Sequence, residues 1–314
     1  MPTVYGVNLR AATALQSIIG ASSQAVAACR AVESEREDAL FVDPLAKYFA
    51  AYAGGALPTF LSSYVSVRTH FIDRELLDAL RRKHDQGPPG GVVPNQVVLL
   101  GAGMDGRMWR LPQQAGSPPP AEVVFELDQK EVVDAKDAVL AQLEQAGELP
   151  APRLAKRRVC LSVDIRDPAW IQALNDAGHN RTSGTVWILE GFLRFFSNEQ
   201  IDALIEQLSQ NCACGSSILV TVPSATSRDR RRAEDPVDAK YQWRFGTDDP
   251  VSYFTRFGWK TVKSVSVEDL ADQYNRRPRS TELDTPAENG SKAEPSVMSN
   301  PMRHNYLLRA VKID

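Results

Sequence analysis

The stretch from Gln96 to Asp128 limits the fold of this chain more than any other. It opens with an apolar run, Val97–Leu100, which is rich in β-branched residues and ends abruptly at Gly101. Such a run is typical of a buried parallel strand. A glycine turn follows, then a segment that can form a helical turn before Pro112, and then a second apolar run. The order of strand, glycine turn, helix, strand and acid predicts a nucleotide-binding half-domain.

The glycine turn also limits the ligand. Gly101 and Gly103 allow a tight turn and a close approach of a ligand to the backbone amides, and Gly106 stands at the third-glycine offset of the dinucleotide fingerprint. Asp105, however, would repel a pyrophosphate. It suits a cofactor with a cationic centre and no phosphate, such as S-adenosylmethionine. A dinucleotide site and a purely structural turn stay open as alternatives on this evidence.

Acidic residues follow three of the predicted strands. Asp128, Asp164 and Glu190 each stand at or just past the end of an apolar run. Ligands of open α/β sheets bind beyond the carboxyl ends of the strands, where the acid after the second strand holds ribose hydroxyls. Asp164 can accept a hydrogen bond from an adenine amine. The alternative is a helix cap, but Asp167 before Pro168 suits the cap better and would leave Asp164 free.

Apolar runs and helical periodicities alternate along the chain. The predicted strands are Val97–Leu100, Val123–Leu127, Val159–Val163, Thr185–Leu189, Ser216–Val222, Thr261–Val267 and Tyr306–Val311. The predicted helices are Thr13–Glu37, Asp43 to about Tyr52, Thr59–Arg82, Gln129–Gln145, Asn198–Leu208, Asp249–Phe257 and Glu268–Tyr274. This alternation predicts an α/β fold with a mostly parallel, doubly wound sheet of seven strands and helices on both faces. We expect a helical N-terminal cap over residues 1–90, a sheet domain over 91–314, and a mobile loop over 275–300.

Charge and cysteine usage exclude several classes of function. The net charge of -3 argues against a nucleic-acid binder, and the arginine-rich run near Arg230 is interleaved with acids, as in a solvated helix or lid. No apolar run approaches the roughly 20 residues that span a bilayer, and we see no signal peptide. The four cysteines and four histidines show no zinc spacing. We therefore expect a cytoplasmic enzyme without a metal.

Several motifs occur together in a fixed order. They are Gly101-Ala-Gly-Met-Asp105, Trp109-Arg-Leu111, Phe125-Glu-x-Asp128, Val163-Asp-Ile-Arg-Asp167 and Leu189-Glu-Gly191. In this set the chain resembles the leucine carboxyl methyltransferase family, from about Ala28 to its end. The resemblance implies a Rossmann-like class I methyltransferase fold, S-adenosylmethionine as methyl donor and S-adenosylhomocysteine as product. It adds Ile165, next to Asp164, to the expected cofactor-binding residues.

The helical front of the chain resembles bacterial members of that family. The matching segments are Ala28–Glu33, Phe41–Ala46 and the pair Arg68-Thr69. The resemblance implies that Arg68 binds the methionine carboxylate of the cofactor, with Arg30 assisting. A guanidinium suits a carboxylate because it can donate two parallel hydrogen bonds. Spacing alone favours the alternative that both arginines are solvated charges on a helix face.

The acceptor is predicted less directly. A carboxylate is ionised at neutral pH and needs no general base, whereas a phenol would need one. His70 and His179 both lie in segments where a structural role is expected, which favours a carboxylate. Arg194 could bind that carboxylate, and Phe195 would form the wall of its pocket together with its aromatic neighbours.

The chain departs from the eukaryotic phosphatase-methylating branch at two places. That branch has tyrosine at Phe195 and Thr-Thr at Gly106-Arg107, although Tyr274–Arg279 and Met302–His304 resemble it. The cofactor acids are thus kept and the acceptor-side residue is not. Both a small-molecule acid and a protein C-terminal carboxylate are candidate acceptors. A silent cofactor-binding module and a nicotinamide oxidoreductase are the alternative functions, and the oligomeric state is not predicted.

Overall fold

A computed structural model describes residues 3–4, 7–8, 15, 17–50, 59–82, 87–112, 119–234, 242–277 and 305–313. Its strands are β1 (Thr3–Val4), β2 (Val7–Asn8), β3 (Pro94–Leu100), β4 (Ala121–Asp128), β5 (Ala155–Ser162), β6 (Gly184–Leu189), β7 (Ser217–Pro223), β8 (Trp259–Ser266) and β9 (Asn305–Lys312). Its helices are α1 (Ile18–Ser34), α2 (Ala46–Phe49), α3 (Thr59–Arg81), α4 (Arg107–Arg110), α5 (Lys130–Gln145), α6 (Trp170–Asp176), α7 (Asn198–Gln210), α8 (Ala225–Glu234), α9 (Pro250–Thr255) and α10 (Val267–Gln273).

Seven strands form one sheet in the order β5-β4-β3-β6-β7-β9-β8. The pairs from β5 to β7 are parallel, and β9 pairs antiparallel with both β7 and β8. The chain order reverses between β3 and β6, so the carboxyl ends of β3, β4 and β6 meet where a ligand of an open α/β sheet binds. The mostly parallel seven-stranded sheet predicted from the sequence is confirmed.

The two faces of the sheet carry separate apolar cores because side chains alternate along each strand. On β3, Val97 and Leu99 join one core, which also contains residues of α1, α3 and α5. Val98 and Leu100 join the other, which contains residues of α6, α7 and α9. The helical front of the chain therefore shares a core with one face of the sheet. The division into domains at residue 90 stays a prediction.

Some predicted boundaries differ from the structure. The helix predicted from Asp43 begins only at Ala46, as α2, and the Asp43 carboxylate accepts a hydrogen bond from Arg30 at 2.9 Å. The strand predicted to end at Val222 continues to Pro223, which pairs with Asn305 in β9. The predicted helix end near Tyr52 and most of the loop over 275–300 lie outside the described residues. Among the described helices, none has the length and apolarity needed to cross a membrane.

Candidate functional site

A cavity of about 360 Å³ opens at the carboxyl ends of β3, β4 and β6. All eleven residues that the sequence nominated line it: Arg30, Arg68, Gly101, Gly103, Asp105, Asp128, Asp164, Ile165, Glu190, Arg194 and Phe195. The volume lies in the range of about 300–1,000 Å³ that is usual for small-molecule sites. Residues from distant parts of the chain thus share one cavity, while the role of each stays a prediction.

The glycine loop forms the floor of this cavity. Gly101 and Gly103 have φ angles of 66° and 51°, which a residue with a side chain rarely adopts. A Cβ on Gly101 would lie 2.5 Å from Cδ2 of Phe192, so the loop has room for backbone alone. The backbone can therefore approach a ligand closely here, as the sequence predicted.

Asp128 is anchored by the same loop. Its Oδ2 accepts a hydrogen bond from the Gly103 amide at 2.7 Å, and its Oδ1 accepts one from the Gln129 amide at 2.7 Å. Burial raises the pKa of Asp128, and these two amide hydrogen bonds do not fully offset that effect. The result is a fixed acceptor at the tip of the second strand, where a ribose-binding acid is expected.

Asp105 lies in a buried ion-pair network with Arg107. Its Oδ1 accepts a hydrogen bond from the Arg107 amide at 2.7 Å, and its Oδ2 pairs with the Arg107 guanidinium. Burial would raise the pKa of Asp105, but Arg107 and three further cations lower it to about 2. The carboxylate is ionised as the sequence argument requires, although its charge is compensated within the protein.

Glu190 connects the helical front of the chain to the glycine loop. Its Oε1 accepts hydrogen bonds from Arg68 at 3.0 Å and from Thr69 at 3.3 Å, while its Oε2 lies 2.6 Å from Nη2 of Arg107. Burial opposes the charge of Glu190, but Arg107 and Arg68 outweigh it and lower the pKa. The two arginines therefore keep Glu190 ionised in the cavity wall.

The two arginines that the sequence placed near the cofactor carboxylate are both buried. The Nη1 atom of Arg68 lies 2.8 Å from where a Cβ on Gly191 would sit, so this glycine makes room for the guanidinium. Arg30 donates to Asp43 at 2.9 Å and also to the Met104 carbonyl. Neither arginine is a solvated helix-face charge, and that alternative is wrong.

Asp164 lies at the rim of the cavity and is half exposed. The expectation that its carboxylate is free is wrong, because the Arg166 guanidinium binds both of its oxygens, at 2.6 Å for Nη2 to Oδ2. Hydrogen bonds from Arg166 lower its pKa. The prediction that Asp167 caps the next helix is wrong, because α6 begins at Trp170 after Ala169, and the Asp167 carboxylate accepts its hydrogen bond from the Ala169 amide, at 3.0 Å, ahead of the helix.

A second cavity, of about 190 Å³, adjoins the first. The two share Ser22, Val26, Arg68, Gly191 and Arg194. Arg194 donates to the Ser22 hydroxyl at 3.1 Å, and its guanidinium lies 4.8 Å from the ring centroid of Phe195. The predicted acceptor-contacting arginine thus lies on the boundary between the two cavities, and its predicted aromatic wall, Phe195, lines the first cavity.

Sequence reasoning missed the ion-pair network beneath the loop. Arg107 donates to Asp73 at 2.7 Å and Arg110 donates to it at 2.8 Å, all three being buried. The available indication was the pair of arginines three residues apart in a segment that is otherwise apolar, since such a segment buries its charges only when they are paired. Asp73, in α3, gave no such indication.

The donor set of the first cavity fits the expected cofactor. An acid fixed by backbone amides suits ribose hydroxyls, and a buried guanidinium suits a carboxylate. The glycines of the loop let the ligand approach the backbone closely. Within the described ranges, no three His, Cys, Asp or Glu side chains are grouped as a metal site requires.

Comparison with known proteins agrees with this geometry. The family model described as leucine carboxyl methyltransferase matches residues 23–209. The chain is 34% identical over 275 residues to a proposed S-adenosyl-L-methionine-dependent methyltransferase of Streptomyces avermitilis, covering 82% of this chain and 88% of that protein. It is 33% identical over 280 residues to a protein of the same description from Streptomyces coelicolor, covering 84% and 90%.

The fold is also found among solved structures. A crystal structure of a proposed methyltransferase from Thermobifida fusca superposes with a TM-score of 0.52 at 17% identity, covering 81% of this chain and 83% of that one. At that identity the likeness concerns the fold alone, and it is the same open α/β architecture.

Proposed function

Because this chain belongs to the leucine carboxyl methyltransferase family and is an S-adenosylmethionine-dependent methyltransferase, we propose that it methylates the oxygen of a carboxylate. The acceptor oxygen forms a bond to the methyl carbon as the bond from that carbon to the sulfonium sulfur breaks, leaving a methyl ester and S-adenosylhomocysteine. No proton has to be removed, so alignment of the three atoms is the main task of the protein.

The assignment of the cofactor-binding residues follows the cavity. We propose that the glycine loop and Asp128 hold the ribose of the nucleoside, and that Asp164 and Ile165 contact its adenine. Arg68, supported by Arg30, would bind the methionine carboxylate. Asp105 and Glu190 line the same cavity and, although arginines pair with both, would favour the cationic sulfonium over a phosphate.

The proposal of a carboxylate acceptor rests on the positive charge of the residues that line the second cavity. Three of its lining residues are arginines, namely Arg68, Arg194 and Arg231, and among its described lining residues there is no aspartate, glutamate or histidine. An arginine-rich wall attracts an anion, and a wall without a general base cannot readily activate a phenol. We therefore assign Arg194 as the acceptor contact, and Phe195, which lines the first cavity beside it, as a wall on the cofactor side.

His179 does not serve as a base in this proposal. It lies at the opposite edge of the sheet, where its ring nitrogens contact Asn175 at 3.2 Å and Thr185 at 3.1 Å. The chain's four cysteines are free thiols, which favours a reducing compartment and a cytoplasmic location.

The test uses methyl-labelled S-adenosylmethionine with a cell extract that is separated into protein and small-molecule fractions, followed by mild base. We expect label that base releases as methanol, because methyl esters hydrolyse under conditions that ethers and amines survive. Its fraction identifies the acceptor as a protein carboxylate or a metabolite acid. Base-stable label in both fractions, or no transfer by protein that binds S-adenosylhomocysteine, would contradict the proposal.

A further inference from the structure

We propose that the second cavity is an acceptor chamber for a small aromatic acid, with Trp243 as the stacking surface and Arg231 as a further contact to the carboxylate. This inference rests on the proposed carboxyl methylation and names its substrate class. It concerns Trp243 and Arg231. Both lie outside the sequence motifs and outside residues 23–209, the range that the family model matches.

The lining of the chamber combines flat rings with cations. Tyr64 and Trp243 contribute the rings, and the aliphatic side chains of Leu61 and Leu193 complete the apolar wall. An aromatic body can stack on such rings and gains more than from area burial alone. Arginine side chains supply only hydrogen-bond donors, which suits the oxygens of a carboxylate and does not suit a cationic ligand.

Trp243 is held in an unusual place. Its φ angle is 56°, in the left-handed region that bulky side chains rarely adopt. Backbone of this kind persists only when the surroundings hold it, and it is concentrated at ligand sites. The next residue supplies one restraint, since the Arg244 amide donates to the Arg194 carbonyl at 3.0 Å. The main chain next to Trp243 is thereby tied to the backbone of the predicted acceptor contact.

Two guanidinium groups flank that indole. Arg194 lies 5.5 Å and Arg231 lies 5.7 Å from its ring centroid. Arg231 comes from α8, the charged segment that the sequence identified as a solvated helix or lid, and its ion pair with the exposed Glu234 is long, at 3.4 Å. This partly exposed arginine can therefore turn to an anion in the chamber at little cost.

The size of the chamber favours a compact acceptor. Its volume of about 190 Å³ is about half that of the first cavity. The boundary between the two cavities passes through Gly191, which has a φ angle of 66° and carries no side chain between them. A carboxylate bound by Arg194 would thus face the cofactor cavity, with its ring on Trp243.

The test is a calorimetric titration of three probes into protein saturated with S-adenosylhomocysteine: 2-naphthoate, hexanoate and a short peptide that ends in leucine. We expect 2-naphthoate to bind about tenfold or more tightly than either other probe, since only it can stack. Trp243→Leu should remove that preference and leave hexanoate affinity within about twofold. Arg231→Gln should weaken both free acids about fivefold, because it removes a cation from the chamber.

The matched control is Arg232→Gln, which removes the same charge from an exposed position on the same helix outside the cavity. It should leave all affinities unchanged. Tighter binding of hexanoate or of the peptide, indifference of 2-naphthoate to Trp243→Leu and Arg231→Gln, or no binding of any probe would each overturn the chamber. Base-labile methyl transfer with those results would leave the proposed function standing. Base-stable methyl transfer, together with naphthoate binding that depends on Trp243, would contradict the proposed carboxyl methylation and leave the aromatic binding site standing.

Discussion

The two ends of the same parallel strands solve the problem of buried polar groups in opposite ways. At the amino end, Gln96 and the Asn180 backbone exchange two hydrogen bonds, at 2.9 and 3.0 Å, and His179 contacts the Thr185 hydroxyl at 3.1 Å. These groups are neutral. At the carboxyl end, the buried groups are ionised arginines and carboxylates, with Arg107 pairing Asp73 at 2.7 Å.

The difference separates a stabilising edge from a binding edge. Neutral hydrogen-bonded groups satisfy buried backbone and side chains without a large desolvation cost. Buried ion pairs cost more and are weak evidence for stability. They make sense at the carboxyl edge because a charged ligand needs fixed charges with little reorganisation on binding.

The largest expected effect is that of Arg107→Met, at the binding edge. Its guanidinium contacts Asp73, Asp105 and Glu190, so its loss removes the paired guanidinium of Asp105 and one of the two arginines at each other carboxylate. We expect a loss of about 3–5 kcal/mol in the free energy of unfolding, measured by urea denaturation.

The control is Lys130→Met, which breaks an exposed pair with Asp134 and should change stability by about 0.5 kcal/mol or less. If Arg107→Met changed the free energy of unfolding by no more than this control, the buried carboxylates at the carboxyl edge would not depend on Arg107.

The next effect concerns pH and the amino edge. Burial lowers the pKa of His179 to about 4, whereas the unfolded chain has a histidine pKa near 6.5. Between these values the unfolded state binds the proton and the folded state does not, so stability falls as the pH decreases from about 6.5 towards 4. We expect His179 to account for a loss of about 2 kcal/mol between pH 7 and pH 5.

Urea denaturation of wild type and His179→Asn at both pH values measures this contribution. The variant should be less stable at pH 7 because it loses the contact to Thr185, and its stability should depend less on pH. Equal pH dependence in the two proteins would mean that His179 is not held neutral.

A matched pair of glycines tests the loop. Gly101 and Gly147 have nearly the same φ angle, 66° and 67°, but a Cβ would meet the Phe192 ring at Gly101 and nothing within 4 Å at Gly147. Gly147→Ala should cost about 1–2 kcal/mol for the backbone alone. Gly101→Ala should cost a further 1–3 kcal/mol, roughly, from overpacking.

Thermal denaturation compares the two stabilities, and calorimetry compares their affinities for S-adenosylhomocysteine. The affinity should fall in Gly101→Ala alone. An equal fall in Gly147→Ala would show that the loss does not come from the loop at the binding edge.

The smallest expected effect lies at the rim. Asp164→Ala should weaken S-adenosylhomocysteine binding about three- to tenfold, the equivalent of one hydrogen bond. Arg166→Ala should change it by about twofold or less, because Arg166 contacts the carboxylate and is not itself a predicted ligand contact. A larger effect of Arg166→Ala in the same titration would reverse these roles.

Local patterns in the sequence were enough to predict the sheet and the position of the first cavity. Apolar runs ending at Gly101, Asp128 and Glu190 identified the strand ends, and those ends meet because neighbouring parallel strands share an edge. The resemblance to a family added Arg68, which lies in a helix and not at a strand end. Local signals and a motif order together placed these residues.

The rest depends on contacts between distant segments, which no local pattern records. Asp73 meets Arg107 across 34 positions of the chain, and Arg194 meets Ser22 across 172. Trp243 has a left-handed backbone, although that conformation is usual for glycine or asparagine and not for tryptophan. Such features follow from tertiary packing, and for this reason the contribution of Trp243 and Arg231 to the second cavity escaped prediction, although that of Arg194 did not.

The most direct test of the binding edge is calorimetric titration of S-adenosylhomocysteine into wild type, Arg68→Ala, Asp128→Ala and, as a control at the amino edge, Thr185→Val. Circular dichroism would establish that each variant is folded. We predict affinities weakened about tenfold or more in the first two variants and unchanged within about twofold in Thr185→Val. Unchanged affinity in both Arg68→Ala and Asp128→Ala would contradict the assignment of the cofactor to the carboxyl edge.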